Sequence, residues 1–378
     1  MKVPFLDLKA QYATIKDEVN PAIQEVLDNT AFILGKSVSQ FEKEFANVHN
    51  VKHCVGTSSG TDANHLALWA LDIKQGDEVI IPANTFIATA WGATLCNAKP
   101  VFVDCHPASY NIDPEKIESK ITSKTKAIVA VHLYGQSAEM DALKKIAIEN
   151  NVFLIEDAAQ AHLAEYKGKM VGGLSEVASF SFYPGKNLGA YGEAGAVVSN
   201  NERLAKKIIK LREHGQSEKY YHDTFGHNYR MEGIQGAVLR VKLKYLSSWT
   251  DERRKVAANY QKLLGNIKQI SLPAELPNLK HVYHLYVVRV NGKSIEKREE
   301  TRDKLRAFLS ENGIASGLHY PVPLHLQKCF DYLGYKKGDF PVTEDLAQSG
   351  FSLPMFPELK NDQISYIAEK IHEFFKSQ

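Results

Sequence analysis

The chain predicts an α/β fold: a mostly parallel central sheet covered by helices, then a smaller C-terminal α/β domain. Three observations lead there. Strand-like and helix-like segments alternate through the first half. The length, 378 residues, exceeds what one compact core holds. Near residue 250 the texture turns to a long charged helix followed by a proline-marked segment, which places domains at 1–250 and 251–378.

The elements follow in order. Ile15 to Asn29 and Val38 to His49 carry apolar residues at helical spacing. His53 to Gly56 is a short apolar strand, and Asp62 to Leu71 the helix after it. Glu78 to Ile81 is a strand closed by Pro82, and Phe86 to Leu95 a helix. Pro100 to Val103 and Ala127 to Val131 are strands, Met140 to Asn150 is helical, and Val152 to Ile155 is a buried strand. Val177 to Phe182 and Gly195 to Ser199 add two more strands. Leu239 to Leu264 reads as one long helix containing the charged run Asp251-Glu-Arg-Arg-Lys255. His284 to Val290 is a strand, and Arg302 to Asn312 and Ile364 to Phe375 are helical.

Composition excludes several classes. A net charge of +2 gives no electrostatic footprint for nucleic acid or membrane. No run of eighteen or more apolar residues suggests a spanning helix. The first residues lack an uninterrupted apolar stretch, so no secretory leader is expected and the cytoplasm is the expected compartment. Cys54, Cys96, Cys105 and Cys329 are scattered and read as structural thiols. His319 and His325 are separated by two prolines, and no helical H-x-x-x-H exists, so no metal is expected.

The chemistry concentrates around Lys186, in Ser179-Phe-Ser-Phe-Tyr-Pro-Gly-Lys186-Asn-Leu-Gly-Ala-Tyr-Gly-Glu193. Phe180 and Phe182 imply burial, and glycines at 185, 189, 192 and 195 allow close backbone approach. A lysine withdrawn from water loses proton affinity and becomes a usable nucleophile and base. A second constellation, Leu154-Ile-Glu-Asp157-Ala-Ala-Gln160, reads as a buried strand ending in an acid. A loop lysine that can form a Schiff base, with a carboxylate to keep a pyridine nitrogen protonated, is what pyridoxal phosphate requires. Ser58-Ser59-Gly60-Thr61, between a strand and a helix, could cup a phosphate on free helix-start amides, or could be an ordinary capped turn. Ser181 could reach the same phosphate or bond to backbone. Phe86 could stack on a planar ring or pack in the core.

These segments together resemble the DegT/DnrJ-type nucleotide-sugar aminotransferases, which have the aspartate aminotransferase fold (fold type I). The resemblance runs from Val3-Pro-Phe-Leu-Asp-Leu8 through Pro82-Ala-Asn-Thr-Phe86, Glu156 to Gln160 and Ser179 to Gly195. It continues to Asn228-Tyr-Arg-Met231 and His319-Tyr-Pro321. It implies pyridoxal 5′-phosphate bonded to Lys186, with Asp157 at the pyridine nitrogen and Gln160 at the phenolic oxygen. Phe86 would stack on the ring, and Gly60, Thr61 and Ser181 would hold the phosphate. Asn228 would reach the phosphate from a neighbouring subunit, which implies a homodimer with shared active sites. Tyr183, Glu193, His319 and Tyr320 would lie near the sugar.

The lysine segment is closest to members that aminate C3 of a dTDP-linked 3-keto-6-deoxyhexose. The implied reaction moves the amino group of glutamate to that carbon, in deoxyamino sugar biosynthesis for lipopolysaccharide or S-layer glycans. The alternatives are the same chemistry at C4 or on a UDP- or GDP-linked keto-sugar, and a non-catalytic regulator that binds pyridoxal phosphate. Lys186 argues against the family branch that dehydrates sugars with a histidine in its place. A nicotinamide enzyme would want G-x-G-x-x-G, which Gly56-Thr-Ser-Ser-Gly60 does not supply.

Overall fold

A computed structural model describes residues 1–376. Its centre is a seven-stranded sheet. In spatial order the strands are His53–Thr57, Gly195–Ser199, Val177–Ser181, Phe153–Asp157, Thr125–Val131, Glu78–Pro82 and Lys99–Val103. Only Gly195–Ser199 runs against the rest, pairing antiparallel with both neighbours. The other contacts are parallel, as crossover helices require.

Helices cover both faces, so the strands are apolar on both sides rather than alternating. Ile80, Ile128, Leu154 and Ala178 pack into one core. Their neighbours Val79, Ile81, Val129 and Ile155 pack into the other. This alternation sends Glu156 to the first face and Asp157 to the second.

A third core gathers Val256, Tyr260, Leu264, Tyr286, Val288, Leu305 and Phe351 around the small antiparallel sheet of Ile270–Ser271, Tyr286–Val290 and Gly350–Leu353. Val3, from the start of the chain, packs into it too.

The expected single helix from Leu239 to Leu264 is two helices, Gly233–Leu243 and Leu246–Leu264. The amides of Lys244 and Tyr245 bond three residues back and close a turn. The break lets the first helix pack on Gly35–Val48 while the second packs on the C-terminal helix. The first helix begins at Leu8, not Ile15, because the Asp7 carboxylate accepts the amides of Lys9 and Ala10 as its cap. Helix Pro341–Ser349 and the strand after it have no counterpart in the sequence reading.

Among the described residues no helix is long and apolar enough to cross a membrane. No group of three His, Cys, Asp or Glu among them is placed to hold a metal.

Candidate active site

One cavity of about 630 Å³ opens at the C-terminal ends of the parallel strands, the edge where open α/β sheets bind ligands. Gly60, Thr61, Phe86, Asp157, Gln160, Ser181, Tyr183, Lys186, Glu193, His319 and Tyr320 all border it. Residues more than 250 positions apart in the chain thus converge on one space. Asn228 does not border it. It is exposed, in a segment bridged to Glu213.

Asp157 ends its strand and is 4% exposed. Oδ2 accepts the Thr89 hydroxyl at 2.7 Å and the Asn64 amide at 3.1 Å, and Oδ1 accepts the Ala159 N–H at 3.1 Å. Asn64 is in turn fixed by Ser179 Oγ at 2.5 Å, and Thr89 by Thr85 at 2.9 Å. These three donors set the orientation of the carboxylate.

Lys186 sits on a turn closed by its own N–H to the Tyr183 carbonyl. Burial pulls its amine down to about 8, and the Asp157 charge opposes part of that. Among the described residues, no side chain hydrogen-bonds to Nζ. The amine is half-buried and faces the cavity.

Gly60 opens the helix Gly60–Ala70, and Ser59 caps it by accepting the Asp62 N–H. The first-turn amides of Gly60 and Thr61 have no intrahelical acceptor and carry the positive end of the helix dipole. A side chain at 60 would be impossible without rearrangement, because a Cβ would meet the Ser181 Cβ at 2.5 Å. Glycine therefore lets the helix start approach Ser181 and leaves a cradle of amides and hydroxyls.

Phe86 caps the next helix and is 51% exposed. It thus keeps a ring open to the cavity, tilted against Tyr320 at 5.5 Å. Gln160 accepts the Tyr134 N–H at 2.7 Å and donates to the Tyr320 hydroxyl at 3.0 Å. Burial pushes the Tyr320 phenol up, so it remains a neutral donor. His319 stacks on Phe5 and shares a hydrogen with Ser352 Oγ at 2.9 Å. Burial, with Lys186 adding to it, pulls His319 down to about 4, so it is neutral at pH 7.

The donor set fits pyridoxal phosphate. An unpaired amine of lowered proton affinity faces a fixed carboxylate, beside an open aromatic ring and an amide cradle suited to a phosphate. Asn64, Thr89, Arg253 and His284 also border the cavity and escaped the sequence reading as site residues. Arg253 left a signal. It falls on the buried stripe Trp249, Arg253, Val256, Tyr260 of its helix, where a charge is anomalous.

Comparison with known proteins agrees with this chemistry. The model of the DegT/DnrJ/EryC1/StrS aminotransferase family matches residues 13–372. A "Pleiotropic regulatory protein" of Geobacillus stearothermophilus is 46% identical, covering 100% of this chain and 99% of the relative. The dTDP-3-amino-3,6-dideoxy-alpha-D-galactopyranose transaminase of Aneurinibacillus thermoaerophilus is 41% identical over 98% of this chain and 99% of its own. The crystal structure of S. venezuelae DesV in complex with a ketimine intermediate superposes with a TM-score of 0.95. It is 42% identical and covers 99% of this chain and 98% of that chain. The chain therefore belongs to the DegT/DnrJ/EryC1/StrS aminotransferase family and is a pyridoxal phosphate-dependent aminotransferase.

Proposed function

We propose that this aminotransferase acts on a nucleotide sugar, moving the amino group of glutamate to C3 of a dTDP-3-keto-6-deoxyhexose to give the dTDP-3-amino-3,6-dideoxyhexose. The observation that carries the reading is the pairing of Lys186 with Asp157 in the cavity, in a chain 41% identical to a dTDP-3-amino-3,6-dideoxygalactose transaminase. A cavity of about 630 Å³ is also of the size that takes a large substrate beside a cofactor.

Pyridoxal phosphate, when bound, supplies an aldehyde and an electron-withdrawing ring. The protein's own groups do the rest. Asp157, locked by Thr89 and Asn64, keeps a negative charge where a protonated ring nitrogen would sit. Gly60, Thr61 and Ser181 would hold the phosphate, Phe86 would stack on the ring, and Gln160 would donate to the phenolic oxygen. Lys186 Nζ, with proton affinity lowered to about 8, would carry the proton between the donor carbon and the carbon of the cofactor's aldehyde, close to neutral pH where such a base is efficient. Tyr183 and Glu193, both exposed at the cavity, meet the sugar, as do His319 and Tyr320.

The same reading makes the protein a homodimer and divides each chain at residue 250. The exposed segment carrying Asn228 supports the dimer, with Tyr220 79% and Phe225 88% exposed. A partner subunit would cover these rings.

Purified protein, glutamate and a panel of dTDP-, UDP- and GDP-linked keto-sugars test the proposal. The expected result is 2-oxoglutarate formed in step with a C3 amino sugar identified by NMR. Amination at C4, or of another nucleotide sugar alone, would overturn the substrate assignment. Bound cofactor with no 2-oxoglutarate is what a regulator would give.

A further inference from the structure

The charged side chains bordering the cavity are Asp157, Lys186, Glu193 and Arg253. Asp157 is held by three donors. Lys186 is committed to the cofactor, and Glu193 is an exposed negative charge. His319 is neutral at pH 7, and burial, followed by Lys186, takes His284 well below its usual range. Arg253 is therefore the cavity's one permanent cation that the proposed function leaves unused.

Its surroundings are unusual. Arg253 is 3% exposed, yet among the described residues it makes no ion pair. Nη1 donates to the carbonyls of Met355 at 2.8 Å, Tyr283 at 3.2 Å and His284 at 3.5 Å. Nε is buried with no acceptor, and no described residue accepts from Nη2. The nearest acid to act on it, Glu358, does so through space only. A buried guanidinium held by neutral dipoles and left without an anion is unfavourable unless an anion arrives. Every amino-acid donor brings one, since its α-carboxylate must enter with the amine. A guanidinium offers planar paired donors that match a carboxylate.

We propose that Arg253 is the residue that recognises the amino donor, by receiving its carboxylate at the buried wall of the cavity. The proposal rests on the aminotransferase reading with glutamate as donor. The diphosphate of a nucleotide sugar is the other oxyanion that could enter, and the two half-reactions separate these sources.

Holoenzyme of wild type and Arg253→Lys is mixed with glutamate alone, following the cofactor's absorbance change, and then with keto-sugar after amination. The expected result is a glutamate requirement raised about 10- to 100-fold, as for loss of a charged hydrogen-bonded pair, with keto-sugar dependence within about threefold. Cofactor absorbance and thermal unfolding of the variant should match wild type. An unchanged glutamate requirement overturns the proposal. So does a shift confined to the keto-sugar, which assigns Arg253 to the diphosphate.

If the variant does not fold, wild-type holoenzyme decides. Glutarate should compete with glutamate and place a carboxylate on the guanidinium in a co-crystal; glutarate seated elsewhere overturns the proposal. An enzyme that forms 2-oxoglutarate but aminates no nucleotide sugar would refute the substrate reading and leave Arg253 standing. If glutamate fails as donor, the co-crystal still decides Arg253.

Discussion

Replacing Lys186 by methionine should stabilise the cofactor-free protein at neutral pH, by an amount that disappears in alkali. The amine falls from an ordinary 10.5 to about 8, burial outweighing the attraction of Asp157. Each tenfold in proton affinity is worth about 1.4 kcal/mol, so the folded state carries a penalty of about 3 kcal/mol for the charged amine. Residual solvation of a half-buried side chain facing a cavity trims this to about 2 kcal/mol. Below pH 8 both folded and unfolded chains hold the proton, and the penalty is fully present. Between about pH 8 and 10.5 the unfolded chain binds more protons, so stability of the wild type rises with pH. Above that window the difference vanishes. Methionine keeps the length of the apolar stem and removes only the titrating group. Urea unfolding of both proteins from about pH 7 to 11 measures the gap. His162, His284 and His319 are displaced downward by burial, with Lys186 contributing to each. They are therefore neutral across that range and do not enter. A gap that is constant with pH would refute the claim that Lys186 is held against its charged state.

Lys186→Ala should still bind cofactor but lose turnover by about 10⁴-fold, measured as 2-oxoglutarate formation, because nucleophile and proton carrier vanish together. Asp157→Asn should lower kcat by about 10²- to 10³-fold while the protein stays folded, since the charge is lost and the shape kept. Thr89→Val removes the 2.7 Å bond to Asp157 and should cost about 1–2 kcal/mol of stability in denaturant titration. Gly60→Ala should weaken cofactor affinity by about tenfold in equilibrium dialysis, because its Cβ would lie 2.5 Å from that of Ser181.

Much of the site was readable in one dimension because its chemistry is local. Lys186 lies among glycines and aromatics, Asp157 ends an apolar run, and Gly60 sits between hydroxyls where a strand gives way to a helix. What was unreadable acts across distance. Asn64 and Thr89 orient Asp157 from 93 and 68 residues away, and nothing in their own neighbourhoods marks them. The break at Lys244 was hidden for a related reason: both helices carry buried residues at helical spacing, so the periodicity runs through the turn and only their different packing partners separate them. Arg253 was obscured by the run Asp251 to Lys255, which looks solvated as a block although one member faces inward.

Glu156 and Asp157 show what the fold adds to a pair of adjacent acids. Strand alternation turns them to opposite faces of one sheet. Glu156 is 0% exposed, and its oxygens are filled by His132 at 3.0 Å, Gly172 N–H at 2.7 Å, Leu174 N–H at 2.9 Å and Ser175 Oγ at 2.9 Å. Burial pushes its proton affinity up, but the His132 bond and the other donors outweigh it and the net shift is downward. With every lone pair occupied, Glu156 ties the loop 172–175 to the strand and has no capacity left for chemistry. Asp157 has three donors, borders the cavity, and leaves one side for a cation. The two acids are adjacent in sequence, and the parity of the strand sends one into the packed interior and the other to the cavity.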